Sequence, residues 1–548
     1  MKLDISRKEI WQERGKALKP ALKHWIVKPL AAVSTHEHSE SWQKCKAEPD
    51  FPIEDLPKKV WQNGDCFILD FGETVVGRIK LDIYPGRGTH NDAPVRLRLI
   101  AGELPYEVSN EPDTYTGGLS RAWLQDETVN FDDIPEEYVL PRRYSLRYLK
   151  IEMLSVPRCL INFSNIFVIA ESVEENIPAP LMQWDQQLAL IDNAGLRTLR
   201  NCMQDFLEDG PKRDRRLWLG DLRLQALVNA VSFKRFDQVE RAIWLLAGAV
   251  FEDGMVPGAM FLYPIPAGSS RVIDYSLLFS PLLLEHVQFS GNQEIGQELF
   301  ELAAHQFNFL RPHIDRNYIL HDPGKWWTFV DHCKPLDRQM PLQAIYIYSL
   351  KALTKLARLL GGDKRISSWE EEVCKMTNAV RKYHFDRESC AVFSGPEKQL
   401  SCATIAWMIL ADVLTRDEGK RALQTLEKTP EAVQPNSPYL QHYLLNAYFQ
   451  CGETAKAEAM IRNYWGAMVN YGADTFWEVF RPGEDFFSPY GDIRNNSSCH
   501  AWSCTPSYFL RNFASDKTPQ KASGLAGRVS GRKNRSKQQK YRLETVSG

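Results

Sequence analysis

Asn176-Ile177-Pro178-Ala179-Pro180 divides the chain, because the spacing of apolar residues differs on its two sides. Before it the period is two. Ile79, Leu81 and Ile83 alternate with Lys80 and Asp82; Val95, Leu97 and Leu99 alternate with Arg96 and Arg98; Leu149, Ile151 and Met153 surround Lys150 and Glu152. Successive side chains of a strand point to opposite faces, so these runs read as half-buried antiparallel strands. Turn-rich stretches such as Tyr84-Pro85-Gly86-Arg87-Gly88 separate them, and several short strands joined this way suggest a β-sandwich. After the divide the period is helical. Leu188, Ile191, Leu199, Cys202 and Phe206 share one helix face, and Phe236, Val239, Ile243, Leu246 and Val250 share another.

The helical part reads as about twelve helices between Trp184 and Phe513, with loops rich in Gly, Pro and Asp. Among them are 274–290, 294–312, 339–360, 367–383, 400–414, 437–450, 453–468 and 499–512. Twelve helices in hairpins are what a six-hairpin toroid, the (α/α)6 barrel, requires. An α-solenoid gives a similar count, but no fixed-period repeat is visible. At 548 residues the chain exceeds a single core, since cores stop growing near roughly 250–300 residues. The expected organisation is therefore multidomain β + α: an N-terminal antiparallel β-sandwich over 1–180, an (α/α)6 barrel over 181–514, and a basic tail over 515–548.

Composition narrows the function classes. With 44% hydrophobic and 25% charged residues and a net charge of -2, the chain is globular. Met1-Lys2-Leu3-Asp4-Ile5-Ser6 opens without a secretory-type apolar run, and no segment approaches the roughly 20 apolar residues of a membrane span. The eleven cysteines, an odd number without a CxxC pair, fit reduced thiols in a reducing compartment. A cytoplasmic protein with no membrane partner is the expectation. In the tail, Lys517, Lys521, Arg528, Arg532, Lys533, Arg535, Lys537, Lys540 and Arg542 face only Asp516 and Glu544. That charge could attach to nucleic acid, but no aromatic platform accompanies it, and a solvated appendage is the favoured reading.

Four stretches carry chemistry. Glu208-Asp209-Gly210-Pro211-Lys212-Arg213-Asp214-Arg215-Arg216-Leu217-Trp218-Leu219-Gly220-Asp221 packs acids and arginines around a Trp. Neighbouring charge tunes carboxyl protonation, and an aromatic face suits a sugar ring, although a salt-bridged helix connection has the same composition. Trp477-Glu478 lies in Gly472-Ala473-Asp474-Thr475-Phe476-Trp477-Glu478, Trp326 and Asp331 lie in one loop, and His500 stands in Cys499-His500-Ala501-Trp502-Ser503. Single Trp–acid neighbours are usually core beside rim. Four of them at helix boundaries can meet in one cleft at one end of a toroid.

These segments, in order and separation, resemble the α-L-rhamnosidases of glycoside hydrolase family 78, and the resemblance covers nearly the whole chain. Asp209 to Asp221 looks like the family's acid-bearing loop, Gly472 to Glu478 like its base-bearing segment and Cys499 to Ser503 like its Cys-His-Gly-Trp-Ser helix start, while Leu69-Asp70-Phe71-Gly72-Glu73-Thr74-Val75-Val76-Gly77 resembles a strand pair of its sheet. The resemblance implies inverting hydrolysis, with Asp214 as general acid and Glu478 as general base. It further implies that Asp209, Arg213 and Asp221 hold sugar hydroxyls, that Trp218, Trp326 and Trp477 wall the pocket, and that Asp331 and His500 lie at the substrate. No metal or organic cofactor is implied, and the expected partner is a small glycoside or oligosaccharide. The chain departs from the family in two ways. The family's acid is a Glu, and Asp214 takes that position by count; family members also commonly continue into a C-terminal β-domain where this chain enters its basic tail. Two alternatives stay open: another six-hairpin sugar enzyme, such as an uronide hydrolase or a phosphorylase, and a sugar-binding homologue without turnover.

Overall fold

The computed structural model describes residues 6–88, 92–179, 185–263 and 266–513. The end of the divide at Pro180 and the tail expected over 515–548 lie outside them.

Nine strands form the N-terminal sheet: β1 (Lys23–Val27), β2 (Ala31–Glu37), β3 (Cys45–Pro49), β4 (Cys66–Pro85), β5 (Val95–Gly102), β6 (Asp126–Phe131), β7 (Glu136–Val139), β8 (Tyr144–Ser155) and β9 (Ile161–Ser172). All neighbours pair antiparallel, and the longest path runs β1-β9-β4-β8-β5-β6. Hydrogen bonding is continuous because β4 serves both halves. Its first part pairs with β2 and β8, and after an irregularity between Asp70 and Val75 it goes on to β9 and β7. The alternation is as the sequence indicates: Ile79, Leu81, Ile83, Val95, Leu97, Leu99, Leu149, Ile151 and Met153 are all buried in one core.

Two helices belong to this part of the chain, α1 (Lys8–Ala17) and α2 (Pro105–Ser109). Within the span 1–180, α1 packs on the helical part rather than on the sheet. Its Trp11 donates to Glu298 Oε1 at 2.7 Å and its Gln12 to the Gly248 carbonyl at 2.8 Å. Gly15 allows the approach, since a Cβ there would stand 2.9 Å from Leu245.

The helical part contains α3 (Gln186–Cys202), α4 (Leu219–Val231), α5 (Phe236–Gly248), α6 (Ile273–Ser290), α7 (Gln293–His305), α8 (Gln339–Leu359), α9 (Ile366–Tyr383), α10 (Cys402–Leu410), α11 (Arg416–Glu427), α12 (Pro438–Gln450), α13 (Thr454–Asn470) and α14 (Pro506–Phe513). Helices α4, α6, α8, α10 and α12 pack each on the next, and α14 with the short turn Ala501–Cys504 closes the ring back onto α4. Burial separates the two layers. Every residue of α10 is buried, whereas outer α9 buries only Trp369, Met376, Ala379 and Val380. A helix apolar all round belongs inside, and one with a single stripe belongs outside. None of the described helices is long and apolar enough to cross a membrane.

Some helix limits differ from the pattern reading. The stretch 294–312 is helical to His305 and continues as two short 3-10 turns. The stretch 499–512 breaks before Pro506, which has no N–H to continue a helix and instead starts α14.

Candidate active site

The loops that lead into the inner helices gather at one end of the ring. Asp221 stands in the first turn of α4 and Asp274 in the first turn of α6, where the positive end of a helix favours a carboxylate. Asp274 receives the Phe329 and Val330 N–H groups at 3.0 Å each and so fixes the loop before α8.

Asp209 organises the loop between α3 and α4. Its Oδ1 accepts from Arg216 N at 2.9 Å and its Oδ2 from Asp214 N at 3.3 Å. Gly210 is needed inside this closed loop, because a Cβ would lie 2.4 Å from the Arg213 carbonyl. The loop delivers Arg213 inward. Its Nε donates to the Asn495 carbonyl at 2.7 Å, its Nη1 to Asp214 Oδ1 at 2.9 Å and its Nη2 to Glu478 Oε2. Asp214 itself is half-buried.

Glu478 is 2% exposed. Besides Arg213 it accepts from Ser497 N at 3.0 Å and from the Tyr490 hydroxyl at 2.5 Å. Burial pushes this carboxyl up, but the Arg213 charge, nearby histidines and the Ser497 N–H outweigh it and hold it down at about 2. It is an ionised carboxylate at neutral pH.

His500 lies among acids: its Nδ1 is 3.5 Å from Asp221 Oδ1, and its Nε2 is 3.9 Å from Asp209 Oδ2 and 4.0 Å from Glu478 Oε1. Burial drives the imidazole down to about 3, so it is neutral. Burial, then the charge of Asp214, raises Asp209 well above the usual range, and burial with Asp209 does the same for Asp221. The site thus holds one strongly ionised carboxylate, Glu478, beside two buried acids, Asp209 and Asp221, that favour their protons and can donate hydrogen bonds to a ligand. Asp221 Oδ1, His500 Nδ1 and Asn495 Nδ2 are buried with no hydrogen-bond partner among the described residues. Buried polar atoms are normally paired, so Asp221 and His500, side by side with these atoms unpaired, mark a place for a polar ligand.

Trp502 backs the cluster, donating to the Glu478 carbonyl at 2.9 Å with its ring 4.2 Å from His500. Phe329 stacks on it at 5.9 Å, and His332 lies 5.6 Å away. No motif contains Tyr490 or His332; they sit 3.3 Å apart and both face Glu478 or its partner. Nothing in their local sequence marks them, although Tyr490 falls between two of the quoted segments.

The structure therefore brings Asp209, Arg213, Asp214, Asp221, Glu478 and His500 together. Other candidates are placed differently. Trp477 stacks at 5.0 Å on Trp42 of the N-terminal part and is 3% exposed. Trp326 packs edge-on to Phe309, and it is Trp327, 47% exposed, that meets half-buried Trp218 at 6.3 Å. Asp331 spends both oxygens on Ser437 Oγ and Asn436 N at the start of α12. No group of His, Cys, Asp and Glu among the described residues is arranged to hold a metal ion.

An antiparallel sheet domain beside a six-hairpin ring, with converging acids at one end, defines a glycoside hydrolase of the six-hairpin class. Residues 29–170 match the glycosyl hydrolase family 78 alpha-rhamnosidase N-terminal domain, and residues 185–513 match the bacterial alpha-L-rhamnosidase 6 hairpin glycosidase domain. A rhamnosidase from Klebsiella oxytoca, solved with rhamnose bound, is 39% identical with a TM-score of 0.89, over 92% of this chain and 99% of that one. The family 78 rhamnosidase of Bacillus sp. GL1 shares the fold at 20% identity and a TM-score of 0.71, over 85% of this chain and 49% of the other. The α-L-rhamnosidase of Streptomyces avermitilis, complexed with L-rhamnose, shares it at 14% identity and a TM-score of 0.63, over 90% and 44%. No curated protein matches the chain. The chain belongs to glycoside hydrolase family 78, and it is an α-L-rhamnosidase-like hydrolase of O-glycosidic bonds.

Proposed function

We propose that the protein is an inverting hydrolase that releases terminal α-L-rhamnose, or a closely related sugar, from small glycosides. The observation that carries this reading is the Arg213 guanidinium, which binds Glu478 and Asp214 at once. Two carboxyl groups bridged by one guanidinium are held apart on separate nitrogens rather than paired with each other, as an acid and a base on opposite faces of a sugar must be.

Asp214 protonates the glycosidic oxygen as the bond to the anomeric carbon breaks. Glu478 takes a proton from the water that attacks the opposite face, and Tyr490 and Ser497 N fix the direction of its lone pairs. Asp209, Asp221 and His500 meet the hydroxyls of the sugar; Arg213 orients the carboxyl groups of both Asp214 and Glu478. Trp218 and Trp327 offer an apolar surface beside the loop that carries Asp214. The rhamnose bound to the Klebsiella oxytoca protein supports the choice of sugar. All eleven cysteines are unpaired, which supports a reducing compartment, the cytoplasm.

The test is a panel of aryl glycosides led by the α-L-rhamnoside, run with wild type, Asp214→Asn and Glu478→Gln, with and without phosphate. Phosphate-independent release that disappears in both variants is expected. Release that requires phosphate would make the protein a phosphorylase, and sugar binding without release would make it a binding homologue.

A further inference from the structure

The sheet domain reaches into the catalytic end through one carboxylate. Glu103 follows β5 directly, and its side chain is fully enclosed. Oε1 accepts from Ser145 Oγ of β8 at 2.7 Å, which ties the group to its own sheet. Oε2 accepts from Ser498 N at 2.5 Å and lies 3.4 Å from Lys212 Nζ. Lys212 is as buried as Glu103, and its second partner is Glu107 of α2 at 2.9 Å.

The two residues of the helical part that Glu103 touches are each the chain neighbour of a residue bound to Glu478. Lys212 precedes Arg213, whose guanidinium binds Glu478 and Asp214. Ser498 follows Ser497, whose N–H donates to Glu478 Oε2 at 3.0 Å and whose carbonyl accepts from Glu478 N at 2.9 Å. Other contacts tie the domains together near the site, among them Thr74 Oγ1 to Asp474 at 3.1 Å, Arg143 to Glu208 at 2.6 Å, Arg215 to the Arg143 carbonyl at 2.7 Å, the Tyr115 hydroxyl to Asn495 Oδ1 at 2.6 Å and Gly118 N to the Tyr490 carbonyl at 2.8 Å. None of these puts one side chain of the sheet domain on both the acid loop and the base segment.

We infer that Glu103 is a positioning residue of the sheet domain, which sets the spacing of Asp214 and Glu478 by holding Lys212 and Ser498 on a single carboxylate. This inference rests on the catalytic reading of those two acids. The sheet domain is then part of the active site rather than an appendage to it. A shift of about 1 Å between reacting groups costs about a hundredfold in rate, so a residue that does not touch the substrate can still govern kcat. Glu107 shares only the Lys212 contact, and it therefore serves as the comparison.

The test measures kcat and KM on an aryl α-L-rhamnoside, with thermal unfolding, for the full chain and for Glu103→Gln, Glu103→Ala, Glu107→Gln and Glu478→Gln. The expected result is a fall in kcat of about tenfold in Glu103→Gln and about a hundredfold in Glu103→Ala, with KM within about threefold and a smaller loss in Glu107→Gln. Glu103→Gln keeps an acceptor for Ser498 N and a polar contact to Ser145, so it keeps the test usable if the alanine variant does not fold. Wild-type kcat in Glu103→Gln, a change confined to KM, or an equal loss in Glu107→Gln, together with an inactive Glu478→Gln, would overturn the positioning role alone. Activity in Glu478→Gln would overturn the catalytic reading and this inference with it.

Discussion

Arg213 and Glu478 form an ion pair with both side chains almost wholly buried. Removing one partner of such a pair leaves an uncompensated charge in the interior and costs about 3–5 kcal/mol. Arg213→Met is therefore expected to lower kcat more than a hundredfold. The pH dependence gives the sign. Glu478 is held at about 2, below its ordinary 4.5, so the pair is fully present above 4.5 and is lost as pH falls through about 2. Wild type should show no inflection from Glu478 in the acid limb of kcat/KM above about pH 4. Without Arg213, burial dominates and an inflection above the ordinary carboxylate value should appear. An unshifted acid limb in the variant would argue against Arg213 as the group that keeps Glu478 ionised.

Tyr490 donates to Glu478 Oε1 at 2.5 Å. A hydrogen bond to a charged group contributes about 1.5–3 kcal/mol. Tyr490→Phe removes it without removing the ring that lies under the Arg213 guanidinium at 4.4 Å. The variant should keep its unfolding temperature and lose roughly 10- to 100-fold in kcat. Steady-state kinetics at saturating substrate decides; an unaffected kcat would remove Tyr490 from the base assembly.

Trp477 and Trp327 should separate stability from substrate affinity. Trp477→Ala empties the stack on Trp42 and is expected to destabilise by about 3–5 kcal/mol, with KM of the folded enzyme little changed. Trp327 is 47% exposed, so its alanine variant should unfold within about 0.5 kcal/mol of wild type and raise KM for aryl glycosides. The reverse pattern would return Trp477 to the pocket wall.

Asp331→Ala leaves Ser437 Oγ and Asn436 N buried without their acceptor. Each such group costs about 1–3 kcal/mol. Denaturant unfolding should show the loss, and binding of free sugar to the folded protein should be unchanged within about twofold, since the carboxylate is spent on α12. Weakened sugar binding at unchanged stability would place Asp331 at the substrate.

Much of the fold is legible where one period repeats. The alternation around Lys80, Arg96 and Lys150 marks buried strand faces, and the helical stripes recover most of the ring. Helix α1 escapes that reading because its only buried residues are Trp11 and Gly15, too few to make a stripe. Helix α11 buries little more than Gly419, Ala422, Leu423 and Leu426. In the site, the quoted segments contain Asp209, Arg213, Asp214, Asp221, Glu478 and His500, and the loop from Asp209 to Arg216 is closed by its own hydrogen bonds. Trp477 shows where adjacency misleads. The segment is fastened by His500 N to the Phe476 carbonyl and by Glu478 N to the Ser497 carbonyl, which turns the two neighbouring side chains to different partners. Glu478 turns to Arg213 and Trp477 to Trp42. Tyr490 and His332 join the site only through tertiary contacts between loops, which no local pattern encodes.

The most direct measurement is the anomeric configuration of the first sugar released from an aryl α-L-rhamnoside, followed by proton NMR before mutarotation, with wild type and Glu478→Gln. The account predicts β-L-rhamnose from wild type and no release from the variant. Initial α-L-rhamnose, or release by Glu478→Gln, would contradict it.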